Sequence, residues 1–282
     1  MNLTAEAAIQ RAQVSLRNAG VDGPRREARL LVALATGAER SLAADARLTP
    51  EAQGRLAALV ARRAAREPYA YLAEEREFMG LRFTVSRAAL IPRPETESVI
   101  EALLEDQPAQ HVLDLGTGTG AMLLSLLDRW RGARGVGVDR SPAALAVARH
   151  NADALGFRRR ALLLASDWGS ALRPDPAFDL AVCNPPYIPS DEIGGLDPEV
   201  RDYEPRLALD GGSDGLDPVR ALLPGLVRVL ALGARAVFET DPRLWDGLAE
   251  LVSQSGGADI ACLQDLTGRR RGLVARFAGT RE

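Results

Sequence analysis

Lysine is missing from this chain: all 35 basic residues are arginine. The bias reads as genome composition and excludes no function. Cysteine is nearly missing as well. Cys183 and Cys262 both sit in apolar, strand-like runs. Two such residues cannot build a disulfide framework or a cysteine metal site, so no metal is expected. They read as buried thiols in a reducing cytoplasm. No apolar run is long enough to span a bilayer, and the N-terminus lacks a signal-peptide pattern. A strong charge of either sign is absent too: the net charge is −3. The surface therefore does not advertise nucleic-acid binding. These absences lead to the expectation of a cytoplasmic protein with no membrane partner and no direct nucleic-acid partner; a monomer is expected, although no residue pattern bears on oligomeric state. The arginine runs Arg158-Arg159-Arg160 and Arg269-Arg270-Arg271 read as solvated loops.

What is present is ordinary globular material. The 282 residues are 46% hydrophobic and 26% charged, enough for one large domain or a medium domain with a small one. The first quarter is Ala-, Leu- and Arg-rich with helical spacing. Thr4 can cap a helix carrying Ile9, Ala12 and Leu16, and Gly20 can stop it. Pro24 opens a second helix through Ala28, Leu31, Val32 and Ala35 to Gly37. Thr49-Pro50-Glu51 opens a third, with Leu56, Leu59 and Val60.

Near Glu77 the texture changes. Phe78 to Val85 reads as two short strands around a Gly80 turn. A proline-set connection, Ile91-Pro92-Arg93-Pro94-Glu95-Thr96-Glu97, leads into a helix with Val99, Ile100, Leu103 and Leu104 inward. From His111 strands and helices alternate, the signature of a parallel sheet with crossover helices. The expected strands are 111–116, 135–139, 161–167, 178–183 and 234–239, with 259–264 and 272–277 able to close the sheet. The Gly-, Pro- and Asp-rich stretch 189–218 reads as a functional loop or lid.

The first strand runs into Asp114-Leu115-Gly116-Thr117-Gly118-Thr119-Gly120. Glycines here permit tight turning and close approach of backbone to a ligand. Asp139 ends the next strand, where a carboxylate can accept ribose hydroxyls. The glycines also fit a dinucleotide pattern. Asp114 would repel a pyrophosphate but suits a cation, which favours S-adenosylmethionine over a nicotinamide dinucleotide. Asp167 and Trp168 end the third strand, offering a hydrogen bond to an adenine amino group and a wall for its ring.

Asn184-Pro185-Pro186-Tyr187 follows the fourth strand. Prolines lack the N–H that would extend a strand, so the chain breaks at the edge where α/β sheets bind ligands. Methyl transfer to a planar nitrogen needs its NH2 group fixed and aimed. The Asn184 oxygen and the Pro185 carbonyl suit the two N–H bonds, and Tyr187 suits the flat face. Such catalysis is mostly positioning and electrostatics.

With these residues in view, the chain resembles the release-factor glutamine N5-methyltransferases, the PrmC/HemK group. The resemblance spans nearly the whole chain. It rests on Glu77-Phe78, Leu90 to Glu97, the glycine loop, Ser166-Asp167-Trp168, Asn184 to Ile188, and Tyr203-Glu204-Pro205-Arg206-Leu207-Ala208-Leu209. It implies a class I methyltransferase fold, an α/β domain with a seven-stranded, mostly parallel sheet, behind a small N-terminal helical bundle. It implies residues 1–75 as a substrate-recognition domain, 76–92 as a β-hairpin linker and 93–282 as the methyltransferase domain. The implied substrate is the glutamine of a Gly-Gly-Gln motif in peptide chain release factors, and the implied methyl donor is S-adenosylmethionine. Cofactor contacts carry over to Gly116–Gly120, Asp139, Trp168 and Asn184; glutamine contacts carry over to Asn184, Pro185, Pro186 and Tyr187. The family pattern Glu-x-Gly after the fifth strand is here Glu239-Thr240-Asp241. The alternative chemistry is adenine-N6 methylation of RNA or DNA with the base flipped out. A cofactor-binding protein without catalysis is the third reading.

Overall fold

The computed structural model describes residues 3–38, 42–175 and 177–278; Met1 and Glu282, the outer limits of the expected domains, lie outside them. The chain divides into two compact units. One is Met1–Glu74 with Asp197–Tyr203, the other Glu75–Leu196 with Glu204–Glu282.

The first unit is helical. Helix α1 (Ala5–Asn18) starts where Thr4 Oγ1 accepts the Ala7 N–H at 3.3 Å. It buries Ala5, Ala8, Ala12 and Leu16, one face at helical spacing, while Ile9 is half-buried. Helix α2 (Pro24–Thr36) ends at Gly37, whose φ of 69° suits glycine alone without strain. Helix α3 (Pro50–Ala64) is capped by Thr49, and the single-turn α4 (Tyr69–Ala73) follows. Small Ala side chains let α1 and α2 pack closely around Leu16, Leu31 and Leu56. Arg63 on α3 is buried between the carboxylates of Glu27 (2.9 Å) and Glu199 (3.0 Å). Either carboxylate alone still pairs the guanidinium, so it is loss of both that would strand the buried charge.

In the second unit, β1 (Glu75–Phe78) and β2 (Leu81–Thr84) form a hairpin. Met79 (φ 54°) and Gly80 (φ 79°) join them, both at the positive φ that a type I′ turn needs. Helix α5 (Pro94–Leu104) buries Val99, Ile100 and Leu103. Then come β3 (His111–Leu115), α6 (Ala121–Arg129), β4 (Arg134–Asp139), α7 (Pro142–Ala154), β5 (Ala161–Ala165) and β6 (Phe178–Cys183). The short α8 (Pro198–Arg201) belongs to the first unit. Helix α9 (Asp217–Val227), β7 (Leu230–Glu239), α10 (Trp245–Gln254), β8 (Gly257–Gln264) and β9 (Arg270–Phe277) complete the second.

Seven strands form one sheet in the order β5-β4-β3-β6-β7-β9-β8. Five are parallel, and β9 runs antiparallel to both neighbours. This is the α/β architecture with a mostly parallel seven-stranded sheet that the sequence led us to expect. Apolar clusters cover both faces, one around Leu123, Leu126 and Val182, the other around Leu113, Leu222 and Phe238.

Several details differ from expectation. Strand β7 starts at Leu230, four residues before the expected Ala234. Its pairing with β6 slips between Phe178 and Leu180, and Gly233 (φ 76°) makes the bulge. Strand β5 stops at Ala165, so Asp167 lies beyond it. Cys183 is buried, but Cys262 is only half-buried because β8 is the sheet's edge strand. Arg160 is no solvated loop residue: its Nη1 donates to the Leu127, Trp130 and Ala133 carbonyls, and its guanidinium stacks over Phe157. The stretch 189–218 is threaded with short helical turns. Ser190 and Arg206 both donate to Asp210. Among the described residues no helix is long and apolar enough to cross a membrane.

Candidate active site

The strand order reverses between β3 and β6, so the crossover connections diverge there and leave a crevice at the carboxyl ends. A cavity of about 400 Å³ occupies it. Asp114, Gly116, Thr117, Gly118, Thr119, Asp139, Asp167, Trp168, Asn184 and Pro186 all line it. Gly120, Pro185 and Tyr187 do not; Gly120 opens α6, Pro185 is buried, and Tyr187 is half-buried.

The loop after β3 is shaped by its backbone. The Gly116 and Thr117 N–H groups both donate to Val138 O at 2.9 Å, drawing the loop toward β4. Gly116 (φ 74°) and Gly118 (φ 55°) adopt conformations that side chains resist. The Gly118 N–H donates to Asp139 Oδ2 at 2.9 Å, and the Ser141 N–H to Oδ1 at 2.8 Å. Each carboxylate oxygen keeps a lone pair free to accept from a ligand.

Asp114 is 1% exposed and accepts the Thr117 hydroxyl at 2.6 Å. Burial above all, with the Asp139 charge, raises its carboxyl to about 7, against hydrogen bonds from Thr117 and the Leu123 amide. The cavity therefore has an acidic floor that gains by meeting a cation. Trp168 holds φ at 51°, unusual for a non-glycine residue and costing roughly 1–3 kcal/mol. A Cβ on residue 116 would lie 3.6 Å from its Cζ3, so the bare Gly116 lets the indole pack against the loop.

Cys183 pairs with Leu115 on one side and Phe238 on the other, so Asn184 follows β6 between the glycine loop and Glu239. The Asn184 amide donates to Thr96 Oγ1 at 3.4 Å. Glu239 is 2% exposed; burial chiefly raises it to about 7. Burial first, and then Glu239, push the Tyr187 phenol above its ordinary value. Behind Tyr187 the chain passes very close. A Cβ on Gly211 would stand 2.8 Å from Tyr187 backbone atoms.

Sequence reasoning assigned no role to several wall residues. Pro92, Arg93 and Thr96 come from the proline segment, and Pro205, Leu207 and Ala208 from the other distinctive segment. Glu204 ties the two together: its buried carboxylate accepts the Ile91 N–H at 3.0 Å and the Arg93 guanidinium. The signal available was the rigidity of both segments. Pro218 and Ala221 of α9 also line the cavity and carried no signal. Asp241, where the family pattern has glycine, sits at an ordinary φ of −68° and accepts the Arg243 N–H at 2.8 Å, capping the next turn.

Comparison with known proteins adds an independent line. Residues 7–73 match the PrmC N-terminal domain model, and residues 112–198 match a methyltransferase domain model. The chain is 45% identical over 278 residues to a release factor glutamine methyltransferase of Cereibacter sphaeroides, covering 98% of this chain and 99% of that one. It is 45% identical to the protein of that name from Bradyrhizobium diazoefficiens, covering 96% of this chain and 94% of the other. Among solved structures, the catalytic domain of hMettl16 in complex with MAT2A 3'UTR hairpin 6 superposes with a TM-score of 0.56 at 16% identity, over 78% of this chain and 82% of that one. That last likeness speaks to the fold alone.

Proposed function

The chain belongs to the release factor glutamine methyltransferase family, and from that premise we propose that it methylates the N5 amide nitrogen of the glutamine in the Gly-Gly-Gln motif of peptide chain release factors, using S-adenosylmethionine. The observation that carries the reading is the meeting of Asn184 with an acid-floored cavity at the sheet's switch point.

The residues present suit this methyl donor. Asp139 retains acceptor capacity for ribose hydroxyls, Trp168 offers a flat apolar wall, and Asp114 favours positive charge. Asp167 lies at the same rim for an adenine amino group. Gly116, Thr117, Gly118, Thr119 and Gly120 let backbone approach the ligand. When bound, S-adenosylmethionine supplies an electrophilic methyl group. Asn184 Oδ1 and the Pro185 carbonyl accept the two N–H bonds of the substrate carboxamide, holding its nitrogen toward the donor. Pro186 and Tyr187 shape the turn and the flat side of the glutamine slot. Positioning of this kind supplies most of the acceleration, because an amide nitrogen is a weak nucleophile. Residues 1–75 serve as the substrate-recognition domain, 76–92 as a hairpin linker, and 93–282 as the methyltransferase domain.

The test uses S-adenosylmethionine labelled in its methyl group, with a release factor, its Gln→Ala variant and total RNA as acceptors. Label should enter the release factor alone. Label in RNA and none in the release factor would move the chain to adenine methylation. Asn184→Ala should abolish transfer while keeping the melting temperature.

A further inference from the structure

We infer that Glu204 is a positioning residue: it clasps two separate segments into a closed frame around the acceptor end of the cavity. The inference rests on the glutamine reading above and deepens it by naming what holds the slot in shape.

Three segments make the frame. The Asn184 amide donates to Thr96 Oγ1 at 3.4 Å, which joins the Asn184–Tyr187 turn to the proline segment 91–96. At the far end of that turn the Ile188 N–H donates to Leu209 O at 3.0 Å, and the Gly211 N–H donates to Ile188 O at 2.8 Å. These two bonds join the turn to segment 204–211. Glu204 closes the ring. Its Oε2 accepts the Ile91 N–H at 3.0 Å, and its Oε1 accepts Nη2 of Arg93, 111 residues away in sequence. Both partners can only donate, so the carboxylate is the acceptor in each bond.

Pro92, Pro94, Pro185, Pro186 and Pro205 fix φ along the three sides, so each side is stiff and the junctions set how far apart the sides stand. Arg93, Asn184, Pro186 and Leu207 face the cavity from those sides. The Glu204 side chain is 1% exposed. An apolar side chain there would avoid the desolvation that a buried carboxylate suffers, but it could not hold both donors. The methyl-donor end is held by other bonds, from the Gly118 and Ser141 N–H groups to Asp139. Opening the clasp therefore loosens the acceptor slot and leaves the donor site in place.

Steady-state kinetics on a release factor would test this with E204Q, E204A, R93M, R93K and E204A/R93M, alongside calorimetric binding of S-adenosylmethionine and thermal melts. E204Q, E204A and R93M should each lower kcat by about 10- to 100-fold, the scale of a misaligned reacting group. Below the melting temperature each should still bind one donor per chain, with affinity within about threefold of wild type. R93K, which keeps a cation against the buried carboxylate, should recover most of kcat. Adding R93M to E204A should lower kcat no further, because Arg93 acts through Glu204. Should E204A fail to fold, E204Q and R93M carry the same comparison. Unchanged kcat in E204Q and R93M, donor affinity that falls in step with kcat, or losses that multiply in E204A/R93M would overturn the inference. A wild-type enzyme that leaves the release factor unmethylated would instead overturn the glutamine reading itself.

Discussion

Asp114 should make binding of the methyl donor depend on pH, and the structure sets the window. Its carboxyl is buried and raised to about 7. In the unliganded protein near pH 6, roughly one-tenth of molecules carry the ionised form, and near pH 8 roughly nine-tenths do. A cationic ligand favours the ionised form, and apparent affinity scales with the competent fraction. The dissociation constant for S-adenosylmethionine should therefore be about tenfold larger near pH 6 than near pH 8, with proton release on binding at the acid end. Isothermal titration calorimetry in two buffers of different ionisation enthalpy reads both quantities. The ligand's own amine titrates near 8, so the comparison is with Asp114→Asn. That variant should lose the Asp114 contribution and bind weakly throughout. Stability moves the other way. Because the folded value lies above the unfolded one, the native state holds the extra proton between about 4 and about 7, and stability falls as pH rises through that window. Asp114→Asn removes this loss and should raise the melting temperature of the unliganded protein above pH 7. A flat dissociation constant, or a slope unchanged in Asp114→Asn, would refute the reasoning.

Three further outcomes follow from local geometry. Asp139→Asn replaces two acceptors by one acceptor and one donor, so either Gly118 or Ser141 loses its partner together with a ribose contact; binding should weaken by about 2–4 kcal/mol, roughly 30- to 700-fold by calorimetry. Gly211→Ala would place a Cβ 2.7 Å from Gly215 Cα and 2.8 Å from Tyr187 backbone atoms, which cannot swing aside; kcat should drop at least about tenfold while donor affinity holds, as steady-state kinetics and calorimetry would show. Arg160→Ala takes away the donor of the Leu127 and Ala133 carbonyls and one of the two donors of the Trp130 carbonyl, away from the cavity lining; denaturant titration should show a loss of about 1–3 kcal/mol with turnover at low temperature unchanged.

Much of this site is written locally in the chain. Strand, glycine turn and helix follow one another within 111–129, and a proline pair after an apolar run marks the end of β6. Those signals need only neighbouring residues. The Leu230 start of β7 was hidden because Gly233 reads as a breaker, whereas the fold uses it as a bulge. Arg160 looked solvated because its three carbonyl partners lie about thirty residues upstream and follow no periodicity. The Asn184–Thr96 bond joins two segments 88 residues apart. Only the sheet order brings them together. The same is true of Glu204, whose bonds to Ile91 and Arg93 close the outer wall.

The central claim is that Asn184 presents a glutamine side chain of a release factor to the methyl donor. Fragmentation mass spectrometry of a release factor after incubation with the enzyme and S-adenosylmethionine tests it most directly. One methyl group on the side-chain amide of the Gly-Gly-Gln glutamine, absent with Asn184→Ala, is the result predicted. A methyl group on any other residue, or an unmodified release factor beside methylated adenine in RNA, would contradict it.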